Sequence, residues 1–171
     1  MLGAFPLALV VLLGGCVASA LPDAALRSVN REVTVSELRR DPGAHVGERV
    51  LVGGEILATR PGPGETEIEL LSRPLAGDDR PARSDLSEGR VLVRTKEFLD
   101  PAVYAPERRV TVVGTVVGGE ERKLGELPYR YPVISVEYLQ LWPREAPPPV
   151  FYPVYPWGWP YYYYPWRFRR S

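Results

Sequence analysis

Thiol and imidazole chemistry are almost absent from this 171-residue chain, which has one cysteine, Cys16, and one histidine, His45. A single cysteine excludes an intramolecular disulfide, and a single histidine excludes a His-rich metal site. An excess of positive charge is missing too: 21 Lys and Arg face 21 Asp and Glu. Residues 28–142 hold 16 basic and 19 acidic side chains. That slightly acidic balance argues against nucleic acid, which selects a basic face. Long hydrophobic runs are also lacking. Residues 2–15 are apolar and uncharged, but 14 residues fall short of the roughly 20 that a helix needs to cross a bilayer core. The length suits one ordinary domain and not two. A unit of about 110 residues buries about two thirds of its unfolded surface and folds without staples.

What residues 2–15 do suit is the apolar region of a signal peptide. They end in Leu13-Gly14-Gly15-Cys16. This resembles the lipobox of bacterial lipoproteins: an aliphatic residue, two small residues and the cysteine. The pattern has a chemical reason. Small side chains let a peptidase close on the backbone between Gly15 and Cys16. The thiol takes diacylglycerol as a thioether, and the amine freed by cleavage takes a further acyl chain. Each buried methylene contributes about 0.8 kcal/mol, and two or more chains anchor stably. The pattern departs from the usual one in having no Lys or Arg ahead of the apolar run. The chain accordingly divides into a signal peptide at 1–15, a lipidated tether at 16–34, a barrel at 35–142 and a tail at 143–171.

The patterning from residue 33 onward is mainly β. Ser36 is placed to cap one helical turn through Arg40, and Asp41-Pro42-Gly43 breaks it. Val50, Val52, Gly54 and Ile56 share one strand face, with Arg49, Leu51, Gly53 and Glu55 on the other. Pro61-Gly62-Pro63-Gly64 reads as a hairpin loop. After it, Glu65, Glu67 and Glu69 point outward and Ile68 and Leu70 inward. Residues 75–89 read as an exposed polar loop, 90–95 as a third strand and 108–117 as a fourth. Residues 118–123 turn the chain into a fifth strand that ends at Leu141. A weak repeat relates Glu37-Leu38, Asp41-Pro42 and the strand around Gly54 to Glu97-Phe98, Asp100-Pro101 and the strand around Gly114. Glycine inside a strand marks a bulge or bend, as at a barrel corner. Three strands, a short helix at 97–104 and two more strands follow the order of an OB-fold. The expected fold is a small antiparallel OB-like β-barrel with one or two short helices. An open antiparallel sandwich is the alternative.

Composition changes abruptly at residue 143. Residues 151–171 hold eleven aromatics among spaced prolines and end near Arg167, Arg169 and Arg170. The prolines block helix and central strand, so an extended, aromatic and Pro-rich mobile tail is expected. Trp157, Trp159 and Trp166 make it a candidate binding surface, because Trp and Tyr favour membrane–water interfaces and arginines favour anionic headgroups.

Candidate chemistry elsewhere is thin. Glu65, Glu67 and Glu69 could supply a carboxylate pair for glycan hydrolysis, but like charges on alternate strand positions read better as a solvated face. Glu120, Glu121 and Glu126 lack the ligand spacing of a cation loop and read as a turn. Lipid on Cys16 would remove it from any Cys–His nucleophile with His45. Tyr129 and Tyr131 share a face of the last strand, with Tyr138 further along, and are a second candidate binding surface of the kind OB-folds offer. Packed rings with wet hydroxyls are the plainer reading. No catalytic set, metal or cofactor is expected.

Several separated motifs then occur in order: Arg90-Val-Leu-Val93, Phe98-Leu-Asp-Pro101-Ala-Val-Tyr104, Val110-Thr-Val-Val-Gly114, Gly125-Glu126, Tyr129-Arg-Tyr-Pro-Val133 and Leu141-Trp142. Together with the lipobox they resemble the Slp family, starvation-inducible outer-membrane lipoproteins of Gram-negative bacteria. Pro106-Glu107-Arg108 departs from the family pattern, which commonly has Gly before the Arg. The resemblance implies a non-enzymatic, stress- or stationary-phase-associated lipoprotein in the cell outer membrane, lipid-anchored and periplasm-facing. Val17 agrees with that location, since Asp after the cysteine commonly retains such proteins in the inner membrane. The alternative is a periplasmic binding module holding a glycan, peptide or partner protein by the barrel groove or the tail.

Overall fold

The computed structural model describes residues 21–144. Its elements in chain order are α1 (Asp23–Leu26), α2 (Val35–Arg40), a 3-10 turn (Pro42–His45), β1 (Arg49–Pro61), β2 (Thr66–Ser72), β3 (Arg90–Thr95), β4 (Arg109–Leu124) and β5 (Leu127–Leu141). The strands close into a barrel in the order β1-β2-β3-β5-β4, so the chain is an OB-like barrel and not an open sandwich. All pairings are antiparallel except the seam, where Leu92, Val93 and Arg94 run parallel to Val133, Ile134 and Ser135.

The inward faces follow the two-residue alternation of the sequence. Val50, Val52 and Ile56 of β1, Ile68 and Leu70 of β2, Val91 and Val93 of β3, and Val110, Val112 and Val116 of β4 form one core with Ile134 of β5. Burying each such side chain contributes about 1.5–3 kcal/mol. Leu38 of α2 is fully buried in this core at the mouth where β1 begins; Leu99 fills the opposite mouth.

Gly54 and Gly114, the paired glycines of the repeat, lie on neighbouring strands. A Cβ on Gly54 would overlap the Leu71 carbonyl, and one on Gly114 would overlap the Ser135 carbonyl and the Ile134 side chain. The β4–β5 register shifts between Val113 and Gly114. Glycine is needed here for the close approach of strands at a barrel corner.

Four local expectations are corrected. Thr34, not Ser36, caps α2: its hydroxyl accepts from Glu37 N–H while the Glu37 carboxylate accepts from Thr34 N–H, a reciprocal capping box. Ser36 instead donates to the Glu88 carbonyl. The helix expected at 97–104 is an irregular turn. The Thr66 hydroxyl donates to the Glu97 carbonyl and accepts from Leu99 N–H, taking backbone groups a helix would have used. Residues 118–123 do not turn the chain. They continue β4 to Leu124, with Gly118 at φ +136° marking a shift of register; only glycine adopts that conformation readily. Finally, the loop at 75–89 is not simply exposed. Asp79 is buried under it, its carboxylate accepting both Nη atoms of Arg31 at 2.7 and 3.1 Å and its carbonyl accepting from Thr111 Oγ1 at 2.7 Å.

Candidate functional site

The extension of β4 and β5 beyond the barrel builds a dense cluster of ion pairs. This hairpin arm curls over the outer face of β2 and β3. Its Tyr131 and Val133 pack on Leu92 of β3, with Tyr129 beside them. Around that small apolar patch lie three glutamates and four arginines. Arg122 of the arm grips Glu67 of β2 with both Nη atoms, at 2.6 and 2.7 Å, and reaches Glu120 at 2.7 Å. Arg94 of β3 bridges the same two carboxylates at 2.9 and 2.6 Å. Glu69 accepts from Arg60 at 2.9 Å, Arg90 at 2.8 Å and the Tyr131 hydroxyl at 3.2 Å.

The outward direction of Glu67 and Glu69 was legible in the alternation, but the solvated face was not what they form. Their side chains are only 13 % and 10 % exposed. The bidentate Arg122 bond, joined by Arg94, outweighs burial and holds Glu67 down from 4.5 to about 2. Burial pushes Glu69 up, yet the bonds from Arg60, Arg90 and Tyr131 prevail and leave it lowered. Glu120 behaves likewise, with Arg122 and Arg94 overcoming burial. A glycosidase acid needs a raised pKa and a proton to give. These carboxylates are held in their ionised form and engaged by arginine, so the cluster is suited to fastening the arm and not to acid–base work.

The two candidate tyrosines belong to the same fastening. Tyr131 is 3 % exposed. The Tyr129 ring lies 4.7 Å from it and its hydroxyl accepts from Arg90 N–H at 2.7 Å and Arg39 Nη1 at 3.1 Å. OB-folds bind ligands on the face of strands 2 and 3; here the arm and its ion pairs occupy that face. The four arginines were not singled out from sequence. Glu67 and Arg94 are direct cross-strand partners, so alternating Glu on one strand and Arg on the next was the available signal.

Other sequence candidates are dispersed. Glu121 pairs with Arg130 at 2.9 Å on the arm, apart from Glu120, and Glu126 lies in the turn after β4. His45 Nδ1 meets Glu48 at 3.2 Å. Tyr138 packs with Leu51 and Val113 on the outer wall of β1 and β4. Among the described residues no group of three or more His, Cys, Asp or Glu is arranged to hold a metal. Gly15, Cys16, Trp157, Trp159 and Trp166 lie outside the described residues.

The chain resembles known proteins over nearly its whole length. The model of the outer membrane lipoprotein Slp family matches residues 13–168. The lipoprotein YeaY of Escherichia coli strain K12 is 32% identical over 162 residues, covering 90% of this chain and 81% of YeaY. The outer membrane protein Slp of the same strain is 28% identical over 173 aligned positions, covering 94% and 90%. Among solved structures, the mitochondrial single-stranded DNA-binding protein Rim1 of S. cerevisiae aligns with a TM-score of 0.35 at 11% identity, covering 56% of this chain and 94% of its own. That likeness is too distant to bear on function. The match to the family model and the extent of the YeaY alignment establish that the chain belongs to the outer membrane lipoprotein Slp family.

Proposed function

We propose that this protein is a non-enzymatic envelope lipoprotein, held in the outer membrane by acyl chains on Cys16, with its barrel facing the periplasm. The observation that carries the reading is Leu13-Gly14-Gly15-Cys16 at the head of a family match that begins at residue 13. Two or more acyl chains on one cysteine suffice for stable anchoring. The locked carboxylates of β2 support a role without catalysis, and the family supports an association with stress or stationary phase. Trp157, Trp159 and Trp166, with the terminal arginines, fit the membrane–water interface beside the anchor.

Replacing Cys16 with Ser tests this. The wild type should carry a thioether-linked lipid by mass spectrometry and sediment with the outer-membrane fraction. The Cys16→Ser variant should lose the lipid and appear in the soluble periplasmic fraction. A wild type without lipid, or a variant that stays in the membrane pellet at high salt, refutes the anchor.

A further inference from the structure

The barrel wall is incomplete at the mouth that Leu99 fills. β3 ends at Thr95, and its parallel pairing with β5 stops at Arg94 and Ser135, while β5 runs on to Leu141. From Val136 onward β5 pairs with β4 alone, so among the described residues no strand covers its other edge. The turn after β3 does not fill the gap, because it is drawn to the far side of the mouth. The Thr66 hydroxyl of β2 holds Glu97 and Leu99 there. The Thr59 hydroxyl of β1 donates to the Tyr104 carbonyl at 2.7 Å, and Glu107 N–H donates to the Ile56 carbonyl at 3.0 Å.

What remains between turn and strand is a slot of about 230 Å³. Its floor is Leu99, Tyr104, Val136 and Leu139, which pack on the barrel core. The exposed residues Glu97 and Glu137 stand at its rim. Pockets for drug-sized ligands span about 300–1,000 Å³; this one suits a single large side chain. The same turn carries one. Phe98 is 74% exposed, the highest value for a large apolar residue among those described. Its chain neighbours Glu97 and Leu99 both line the slot, while Phe98 projects into solvent. A lone exposed apolar side chain is ordinary, but an exposed ring beside a ring-sized slot puts a knob and a hole on one patch. Charges flank the knob. Lys96 and Glu97 are exposed, and among the described residues neither side chain meets a partner. Glu137 is engaged within its own chain, by Arg49 at 2.6 Å and Thr115 at 2.7 Å.

We propose that this mouth is the interface of a homodimer, in which Phe98 of each copy enters the slot of the other. A two-fold contact is isologous: one patch carries both knob and hole, and each is used twice. Two turns passing antiparallel set Lys96 of one copy against Glu97 of the partner subunit, and opposite charges at an exposed rim fix the register. Aromatic anchors seated in pockets carry most of the energy of such contacts. The patch is small, so the dimer belongs to the weak, exchanging class. The inference stands on the barrel alone and does not depend on the lipid anchor.

Two measurements test it. In the first, the Cys16→Ser chain from residue 16 onward is followed by sedimentation equilibrium up to about 1 mM. It should dimerise reversibly. Phe98→Asp, at an exposed position, should leave the melt unchanged and raise the dissociation constant by about 30-fold or more. Leu127→Asp, equally exposed at the arm tip, should change it by less than about twofold. A chain that is monomeric throughout, or a dimer that the two substitutions affect alike, overturns the proposal. In the second, the acylated full-length protein carries photoreactive benzoylphenylalanine in place of Phe98 and is co-expressed with an epitope-tagged copy. Illumination of whole envelopes should cross-link the two copies, with the adduct mapping by mass spectrometry to residues 136–139 of the tagged chain. Adducts confined to lipid, to other proteins or to the same chain overturn it, and this result holds even if Phe98→Asp fails to fold.

Discussion

Glu67→Gln removes one charge from the fastening of the arm and keeps the shape of the side chain. Glu67 receives two bonds from Arg122 and two from Arg94. They hold its carboxyl at about 2 in place of 4.5, a difference worth roughly 3 kcal/mol at 1.36 kcal/mol per tenfold in proton affinity. Arg94 and Arg122 are 26% and 36% exposed. Solvent screening at such partners brings the expected loss to about 1–2 kcal/mol, or a fall in Tm of about 4–10 °C for a domain of this size. The variant and wild type should be melted by circular dichroism from pH 7 down to pH 2. A carboxylate with a depressed pKa adds stability that is complete above its unfolded value and vanishes as pH falls through its folded value. The gap between the two proteins should therefore be full above pH 4.5, narrow below it and close near pH 2. Because Glu69 and Glu120 are lowered too, both proteins weaken in acid, and it is their difference that carries the information. Equal melting at pH 7, or a gap that persists unchanged at pH 2, would refute an ionic fastening of the arm.

Two further expectations concern the barrel and its tail. Gly114→Val drives side-chain bulk into the Ser135 carbonyl and the Ile134 side chain, so chemical denaturation should show a loss of about 1–3 kcal/mol or more; an unchanged midpoint would mean that the strands separate there without cost. Deleting residues 147–171 should leave the melt of the barrel intact, since Trp142 already closes the wall through Thr111, while co-sedimentation of the Cys16→Ser chain with anionic vesicles should weaken; a truncated chain that fails to fold would make the tail part of the core.

How much of this was written in the sequence depends on the range of the forces involved. The core strands were legible because Val50, Val52 and Ile56, then Ile68 and Leu70, then Val91 and Val93 alternate within a few residues. The glycine pair was legible for the same reason, though which backbone crosses each one was not. The arm was misread because Gly118-Gly119-Glu120-Glu121-Arg122-Lys123 has no apolar alternation. Its strand character comes from pairing with β5, where Glu120 faces Tyr131 and Arg122 faces Tyr129. The cluster failed for a related reason. Glu67, Glu69, Tyr129 and Tyr131 were each singled out, but Arg122 lies 55 residues from Glu67, and only the register of five strands joins them. The cap on α2 was missed by two residues because Thr34 and Ser36 are chemically equivalent candidates. The Glu88 carbonyl, 52 residues from Ser36, takes the Ser36 hydroxyl and leaves the cap to Thr34.

The parallel seam between β3 and β5 has a consequence in time as well as in space. β1 finds its second neighbour only in β4, and β3 finds its second neighbour only in β5. A chain delivered from its N-terminus therefore holds an open, three-stranded sheet until β4 arrives, and its β3 edge stays bare until Val133–Ser135 of β5 follow. Pairings this distant in sequence form slowly, because the loop must be closed before any contact rewards it. For a polypeptide threaded across a membrane before folding, late closure has a use. Under the export proposed for this chain, it would stay loose while passing through a narrow pore and become a barrel once its final strand had followed.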